Sequence, residues 1–585
     1  MPVKKSIRVS SPVAPPAWAL LERELIRANN EHVFEFYDKY FDDRGYLECV
    51  PRWGALDGPD DAIENLTNVP ALYLLGGADE LVEICQHAQE GHIRQYTEAR
   101  TTEVPFARDG MYYREFPVML DWAHHQEGNA VVGTIGLCDP DDQRHIQRLR
   151  RFAGFYMEDD ELAGEHSEPN WDPSYRIIRS MFNGSRGAML RKTVPLDWAG
   201  DSIEDGRFIL EHGERHYQDM LDHYIGYEDV AGDHPLNLAA TCMAFNVYVH
   251  TGEEKYRQWL LEYADAWVER TEANNGIIPS NIGLEGSIGG ECDGKWWGGA
   301  YGWAHTTITP HTGEPKSRCS CGRCIDGFGN ALLLTGDTRY INPWRTTLDA
   351  INANIRIVDG VEMTPRMHGD DGWYEWMPGP YETGALEIYY WSMDPVDRDR
   401  IPETPWLSYL EGRAPDFPVE AIQEEIGQVR RKVQEMRSDT TTPDTRLSDN
   451  PNRFRPAAVD SLIQLAMGGP QPIVGRPLHT RLRYFDLQRH RPGLPEDVGA
   501  LVDTITATET GVHLVNVNQL EPREVVVQAG TYGEHNWTSV SVDGAPPDAI
   551  DGTAFTVLLE PGTGAYLTLG TDRYVNQPSG ALPFV

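Results

Sequence analysis

The chain has 585 residues, more than one ordinary hydrophobic core can serve, and its 40% hydrophobic and 24% charged residues exclude global disorder. With 90 acidic against 51 basic residues the formal net charge is -39, which excludes nucleic acid and anionic membrane surfaces as bulk partners. No apolar run follows the early lysines of MPVKKSIRVSSPVAPPAWALL, and no stretch has the length and apolarity of a membrane span. The 8 cysteines form no disulfide framework, so the expected setting is cytoplasmic.

Residues 1–15 read as an extended arm. From Trp18 the spacing becomes helical, with Leu20, Leu21, Leu25, Ile26, Val33 and Phe34 forming an apolar stripe. A Gly/Pro/Asp loop then runs into a helix near Asp60 and Asp61. From there one signature recurs: an apolar helix, a glycine or acidic turn, and an amphipathic helix. It is clearest at 71–88, 245–271 and 330–355, with turns at Gly76, Gly252 and Gly336, and weaker at 151–165. The interval from Gly76 to Gly252 is close to twice that from Gly252 to Gly336, which predicts internal repetition of helical hairpins. Residues 419–436 carry a heptad-like stripe from Val419 to Met436, which fits packing on the body of the protein or on a second subunit, leaving a homo-oligomer open. After a polar stretch at 438–456 and a last apolar helix, the period changes to two. Segments 501–509, 511–519, 523–530, 553–560 and 564–570 read as strands between Gly, Pro and Asp turns. The expected organisation is an arm (1–15), a helical domain (16–470) and a C-terminal antiparallel β domain (475–585).

The hairpins around Gly76, Gly252 and Gly336, together with the Trp/Gly/Asp loops between them, resemble the six-hairpin (α/α)6 glycosidase superfamily, and in texture its uronic-acid-acting, β-glucuronidase-like families. The resemblance implies a mainly α fold, an (α/α)6 toroid followed by a β-sandwich-like domain. It also implies a glycoside hydrolase acting on an oligosaccharide, including one that bears a uronic acid.

The site residues come from local chemistry. Hydrolysis of a glycosidic bond needs two carboxyl groups, one held as an acid and the other as base or nucleophile. The segment GLEGSIGGECDGKWWGGAYGWAH brings Glu291 and Asp293 close in sequence to Trp296, Trp297, Tyr301, Trp303 and His305. A second segment, HGDDGWYEWMPGPYETG, supplies His368, Asp370, Asp371, Trp373, Glu375, Trp376 and Tyr381. Rings that flank glycines and acids suit the faces of sugars. These two segments are expected to face one another, with Glu291, Asp293, Asp370 and Asp371 as the catalytic carboxylates. Further substrate contacts are expected from Trp53 and Asp61, from His124 and His125, from His234, and from Arg186, whose fork fits a uronate carboxylate.

A lyase is the alternative, with Tyr381, His124, His305 or His368 as base or acid and Arg186 on the carboxylate; a non-catalytic carbohydrate-binding protein is another. No cofactor is required by either reading of the acids. The C-x-C-x2-C cluster Cys319, Cys321 and Cys324, near His305 and His311, admits a structural zinc as an alternative to thiols that simply pack at a helix start.

Overall fold

The computed structural model describes residues 5–49, 59–98, 112–113, 116–117, 128–157, 171–178, 232–290, 292–298, 302–304, 306–308, 315–317, 319, 321–448, 450–473 and 475–584. Each of the three glycine turns lies where a helix ends and another follows. Gly252 (φ 69) and Gly336 (φ 69) close the helices Thr241–Thr251 and Ile325–Thr335, their amides donating to Tyr248 O at 2.8 Å and Leu332 O at 2.7 Å. The left-handed conformation explains the choice of glycine. Gly76 (φ 96) stands between Val69–Leu74 and Glu80–Glu98, so close to Leu494 that a Cβ would lie 2.5 Å from its carbonyl oxygen.

Among the described residues the hairpins form no toroid of the expected kind, and the fold is not clearly mainly α. Helix accounts for 43% and strand for 21%, and four separate sheets are described in the C-terminal half. A period of 3.6 with a glycine stop specifies a hairpin locally, but ring closure depends on contacts between hairpins, which that pattern does not encode. The largest departure is at 356–378. This stretch, which takes in part of the 368–381 segment expected as a short interruption between helices, forms the antiparallel strands Arg356–Val358, Val361–Gly369 and Gly372–Pro378. Asp359 (φ 51) and Gly360 (φ 80) make the first turn, a two-residue connection with both central φ positive, whose twist matches that of the strands.

Two five-stranded sheets lie at the C-terminal end. One orders as Ser6–Val9, Ala554–Leu559, Arg523–Ala529, Leu482–Asp486, Arg491–Pro492; the other as Val498–Ile505, Glu509–Asn516, Gly564–Asp572, Asn536–Val542, Asp548–Gly552. Fully buried Trp537 of the second sheet donates from Nε1 to Val527 O of the first at 3.1 Å, so the sheets share a core. The sandwich is not antiparallel throughout. Ser6–Val9, within the expected arm, adds to Ala554–Leu559 as a parallel edge strand.

The long helix Ala17–Tyr40 links the two halves. One side meets the helix Phe417–Ser438, whose Ile422, Ile426, Val429 and Met436 are buried, so the heptad-like stripe is used within the chain. Each such side chain contributes roughly 1.5–3 kcal/mol. The other side meets the strand Val498–Ile505, where Glu22, buried, accepts from Ala500 N at 3.2 Å and Arg23 Nη1 donates to Val498 O at 3.1 Å. Burial pushes the Glu22 carboxyl up to about 8 from an ordinary 4.5, with Arg23 and the Ala500 amide opposing. The folded chain therefore binds a proton here that the unfolded chain has released, and stability falls as pH rises from 4.5 to 8. Glu22→Gln should remove this contribution, so that the variant gains thermal stability relative to the parent as pH rises across that window. Parallel melting curves that keep a constant separation would refute the assignment. Among the described residues no helix is long and apolar enough to cross a membrane.

Candidate functional site

The site is built outward from a buried acid. Asp233 is fully buried immediately before the 3-10 helix Pro235–Ala240. Its carboxylate accepts from His234 N (2.8 Å), Ile178 N (3.1 Å), Asn237 Nδ2 (2.7 Å) and Tyr263 Oη (2.9 and 3.0 Å), with Arg270 Nη1 at 3.7 Å. Desolvation raises it to about 6, while Arg270 and the donors hold it from going higher. Its backbone makes a two-way bridge with Ile282, at 2.7 and 2.8 Å.

That bridge fixes 278–282, and this segment holds the rings. Ser280 N donates to Trp296 O at 2.8 Å, and Ser280 Oγ accepts from Trp303 N at 2.8 Å. Trp303 is fully buried and donates from Nε1 to Ile278 O at 2.9 Å, and its carbonyl accepts from His368 N at 3.1 Å. Gly289 (φ 69) lets the 289–295 turn fold back, since a Cβ there would collide with the Lys295 carbonyl.

Segments 292–298 and 368–381 thereby meet. The His368 ring lies 4.6 Å from Trp296, 4.8 Å from Trp297 and 4.9 Å from Trp373, centroid to centroid. Trp303 backs the group at 6.4 Å from Trp373 and from Tyr381. Trp296, Trp297, His368 and Trp373 are half-buried and so keep part of each ring in contact with solvent. At the rim, Asp370 Oδ2 accepts from Lys295 Nζ at 2.8 Å and Oδ1 from Trp297 Nε1 at 2.9 Å. These two bonds hold the Asp370 carboxyl below the usual range, so it is ionised at neutral pH. Burial lowers His368, whose imidazole is therefore uncharged, and its Nδ1 makes no hydrogen bond among the described residues.

Asp371 shares with Asp370 the two-residue tip between strands and is exposed, as are Glu375 (φ 55) and Asp293 (φ 53). Asp293 contributes its charge to the field around Lys295. Trp376 is half-buried under the Arg356 guanidinium, 3.7 Å from its ring centroid, and stands apart from the His368 group. Tyr381 is buried, its hydroxyl bonded to Thr383 and pushed far up by burial, which makes it a poor base for a lyase. His234 is buried at the start of the 3-10 helix. Glu291, Trp53, His124, His125, Arg186, Tyr301 and His305 lie outside the described residues, as does the side chain of Asp61.

Cys319, Cys321 and Cys324 are free thiols, the first two hydrogen-bonded to each other. Among the described residues no group of three or more His, Cys, Asp or Glu is placed to hold a metal ion, and His311 lies outside those residues. Sequence reasoning overlooked Lys295 and Ser280. A lysine immediately before paired tryptophans, in a loop with several acids, was the available signal for the first; nothing marked the second.

The fold and this nest of rings define a mixed α/β chain with a half-exposed aromatic surface site. The chain belongs to the family described as a domain of unknown function (DUF8034), whose model matches residues 6–360 and 400–463. No protein of curated function matches the sequence. Among solved structures, a sugar epimerase from a ruminal bacterium aligns at 12% identity, covering 64% of this chain and 98% of that one, with a TM-score of 0.21, a likeness that carries no argument.

Asp233 should be a structural residue. Asp233→Ala is expected to cost about 3–5 kcal/mol, because it strands Arg270, Tyr263 and two backbone amides. Chemical unfolding would measure this, and a variant as stable as the parent would contradict the account.

Proposed function

We propose that this chain is a carbohydrate-active enzyme that holds a saccharide on the Trp296, Trp297, His368 and Trp373 nest. The observation that supports the reading is the nest itself. Two segments far apart in sequence converge three half-exposed indoles on one neutral imidazole, and an ionised carboxylate is tied to the rim. Indole faces stack on the C–H faces of sugar rings, while a carboxylate at the rim bonds hydroxyl groups.

Within that reading we assign glycoside hydrolysis. Asp370, kept ionised by Lys295 and Trp297, suits the base, nucleophile or charge-stabilising role and not proton donation. The acid then falls to Glu291, Asp293 or Asp371.

The test is incubation with a panel of neutral and uronate-containing oligosaccharides. New reducing ends without an unsaturated-uronate absorbance are expected. Asp370→Asn should lower kcat by roughly 100-fold or more, and Trp297→Ala should act mainly on KM. Full activity in folded Glu291→Gln, Asp293→Asn, Asp370→Asn and Asp371→Asn would remove the assignment of catalysis to these carboxylates. An unsaturated product would make the protein a lyase, and tight glycan binding without turnover would leave it a binding protein.

A further inference from the structure

The strand Val361–Gly369 carries a cation beside His368. Residues two apart on a strand point to the same side, so Arg366 shares the His368 side of the hairpin, with its Cα about 7 Å further from the tip. Trp373, directly opposite His368 on the next strand, lies on that side too. Asp370 stands at the tip itself. The nest is therefore bracketed along the strand, by the Asp370 carboxylate at one end and the Arg366 guanidinium at the other.

Arg366 is held in place but not neutralised. Its guanidinium lies 5.2 Å from the centroid of the Tyr381 ring, and Nη1 and Nη2 each donate to the Pro380 carbonyl at 3.4 Å, longer than an ordinary bond of this kind. The platform beneath is fixed. Tyr381 N donates to Asn352 Oδ1 at 2.8 Å, and Asn352 Nδ2 donates to Tyr381 O at 2.9 Å. The Tyr381 ring is buried and stands 6.4 Å from Trp303, the indole that backs the nest.

Among the described residues no carboxylate pairs with Arg366. The chain has 90 acids for 51 bases, and cations nearby in sequence or in space are taken: Lys295 by Asp370, and Arg345 and Arg400 by Asp397. On the hairpin, the register sets Glu375 opposite Arg366, between the pairs Tyr374–Met367 and Trp376–Pro365. The positive φ of Glu375 (55) interrupts the extended backbone there, and no ion pair forms. Arg366 is half-exposed, so its charge is open to a ligand. A guanidinium already oriented on a ring loses little freedom when its fork takes up a carboxylate or a sulfate. Asp370 and Asp371 at the tip repel such a group, which leaves the Arg366 end to receive it.

We propose that Arg366 selects saccharides that carry an anionic group, a carboxylate or a sulfate ester, and seats that group beside the nest. This rests on the reading of the nest as a saccharide site. The full chain is titrated, with binding followed by NMR, against disaccharides of gluco, galacto and manno configuration that differ only in bearing a hydroxymethyl, a carboxylate or a sulfated hydroxymethyl group. In at least one series an acidic member should bind roughly tenfold or more tightly than the neutral one. Comparison of the carboxylate and sulfate arms identifies the group. Arg366→Gln should abolish the preference, and Arg366→Lys, which keeps the charge and loses the fork, should retain only part of it. Added salt should narrow it in the parent. Trp297→Ala should weaken neutral and acidic members alike. Equal affinity for neutral and acidic members in the parent would overturn the proposal, as would a full preference in folded Arg366→Gln or, should that variant not fold, in Arg366→Lys. Either result leaves the nest reading standing as long as Trp297→Ala weakens neutral binding. Absence of binding by every disaccharide, or binding indifferent to Trp297→Ala, would instead sink the nest reading and this proposal with it.

Discussion

The aromatic nest depends on one carboxylate that takes no part in it. Asp233 collects donors from 178, from its own 3-10 helix and from the helix Glu254–Ala273, and its backbone clamps Ile282. From Ile282 the order passes to Ser280, then to Trp296 and Trp303, and from the Trp303 carbonyl to the His368 amide. Three chain segments thus take their positions from one buried charge. Indoles held half-exposed need such backing, because an unsupported surface tryptophan would turn its face onto the nearest apolar wall.

A second coupling joins the helices to the sheets. Gly76 rests against the Leu494 carbonyl, and a Cβ at Gly336 would lie 2.7 Å from the carbonyl oxygen of Tyr574. Gly580 N donates to Val249 O at 2.7 Å, one turn before Gly252. The turns of the helical hairpins are therefore seated on the C-terminal region, and the parallel strand Ser6–Val9 ties the beginning of the chain to the same region. Glycine serves at Gly76 and Gly336 for two reasons, positive φ and the close approach of another backbone.

This double use explains what the sequence made legible. The glycine stops were visible because a left-handed cap leaves a composition signal, and the apolar stripes of Ala17–Tyr40 and Phe417–Ser438 were visible through their period. Closure of hairpins into a ring leaves no such signal, and there the family-like texture misled. The hairpin at 361–378 was missed because its alternation is masked by function-like residues: His368, Trp373 and Tyr374 read as loop aromatics, although Asp359-Gly360 is a strong turn signal. The meeting of Trp296 and Trp297 with His368 and Trp373 was legible from their shared mixture of rings, acids and glycines. The Lys295 to Asp370 contact was not, because a pair 75 residues apart leaves no local pattern.

Two kinds of perturbed acid stand out among the described residues. Glu22, Asp233, Glu425 and Glu534 are all buried and raised, to about 8, 6, 7 and 7. Each is engaged by the fold: Glu22 by the Ala500 amide, Glu425 by Ser461 N and Oγ at 2.8 and 2.7 Å, and Glu534 by Tyr532 N at 2.8 Å. A raised carboxyl is commonly taken as the mark of a catalytic acid, but in these four it is the by-product of using a carboxylate to satisfy buried amides. Asp370 is the opposite case, exposed and lowered by a lysine and an indole. At these four a perturbed pKa marks architecture, whereas Asp370 is perturbed at the surface by its two donors.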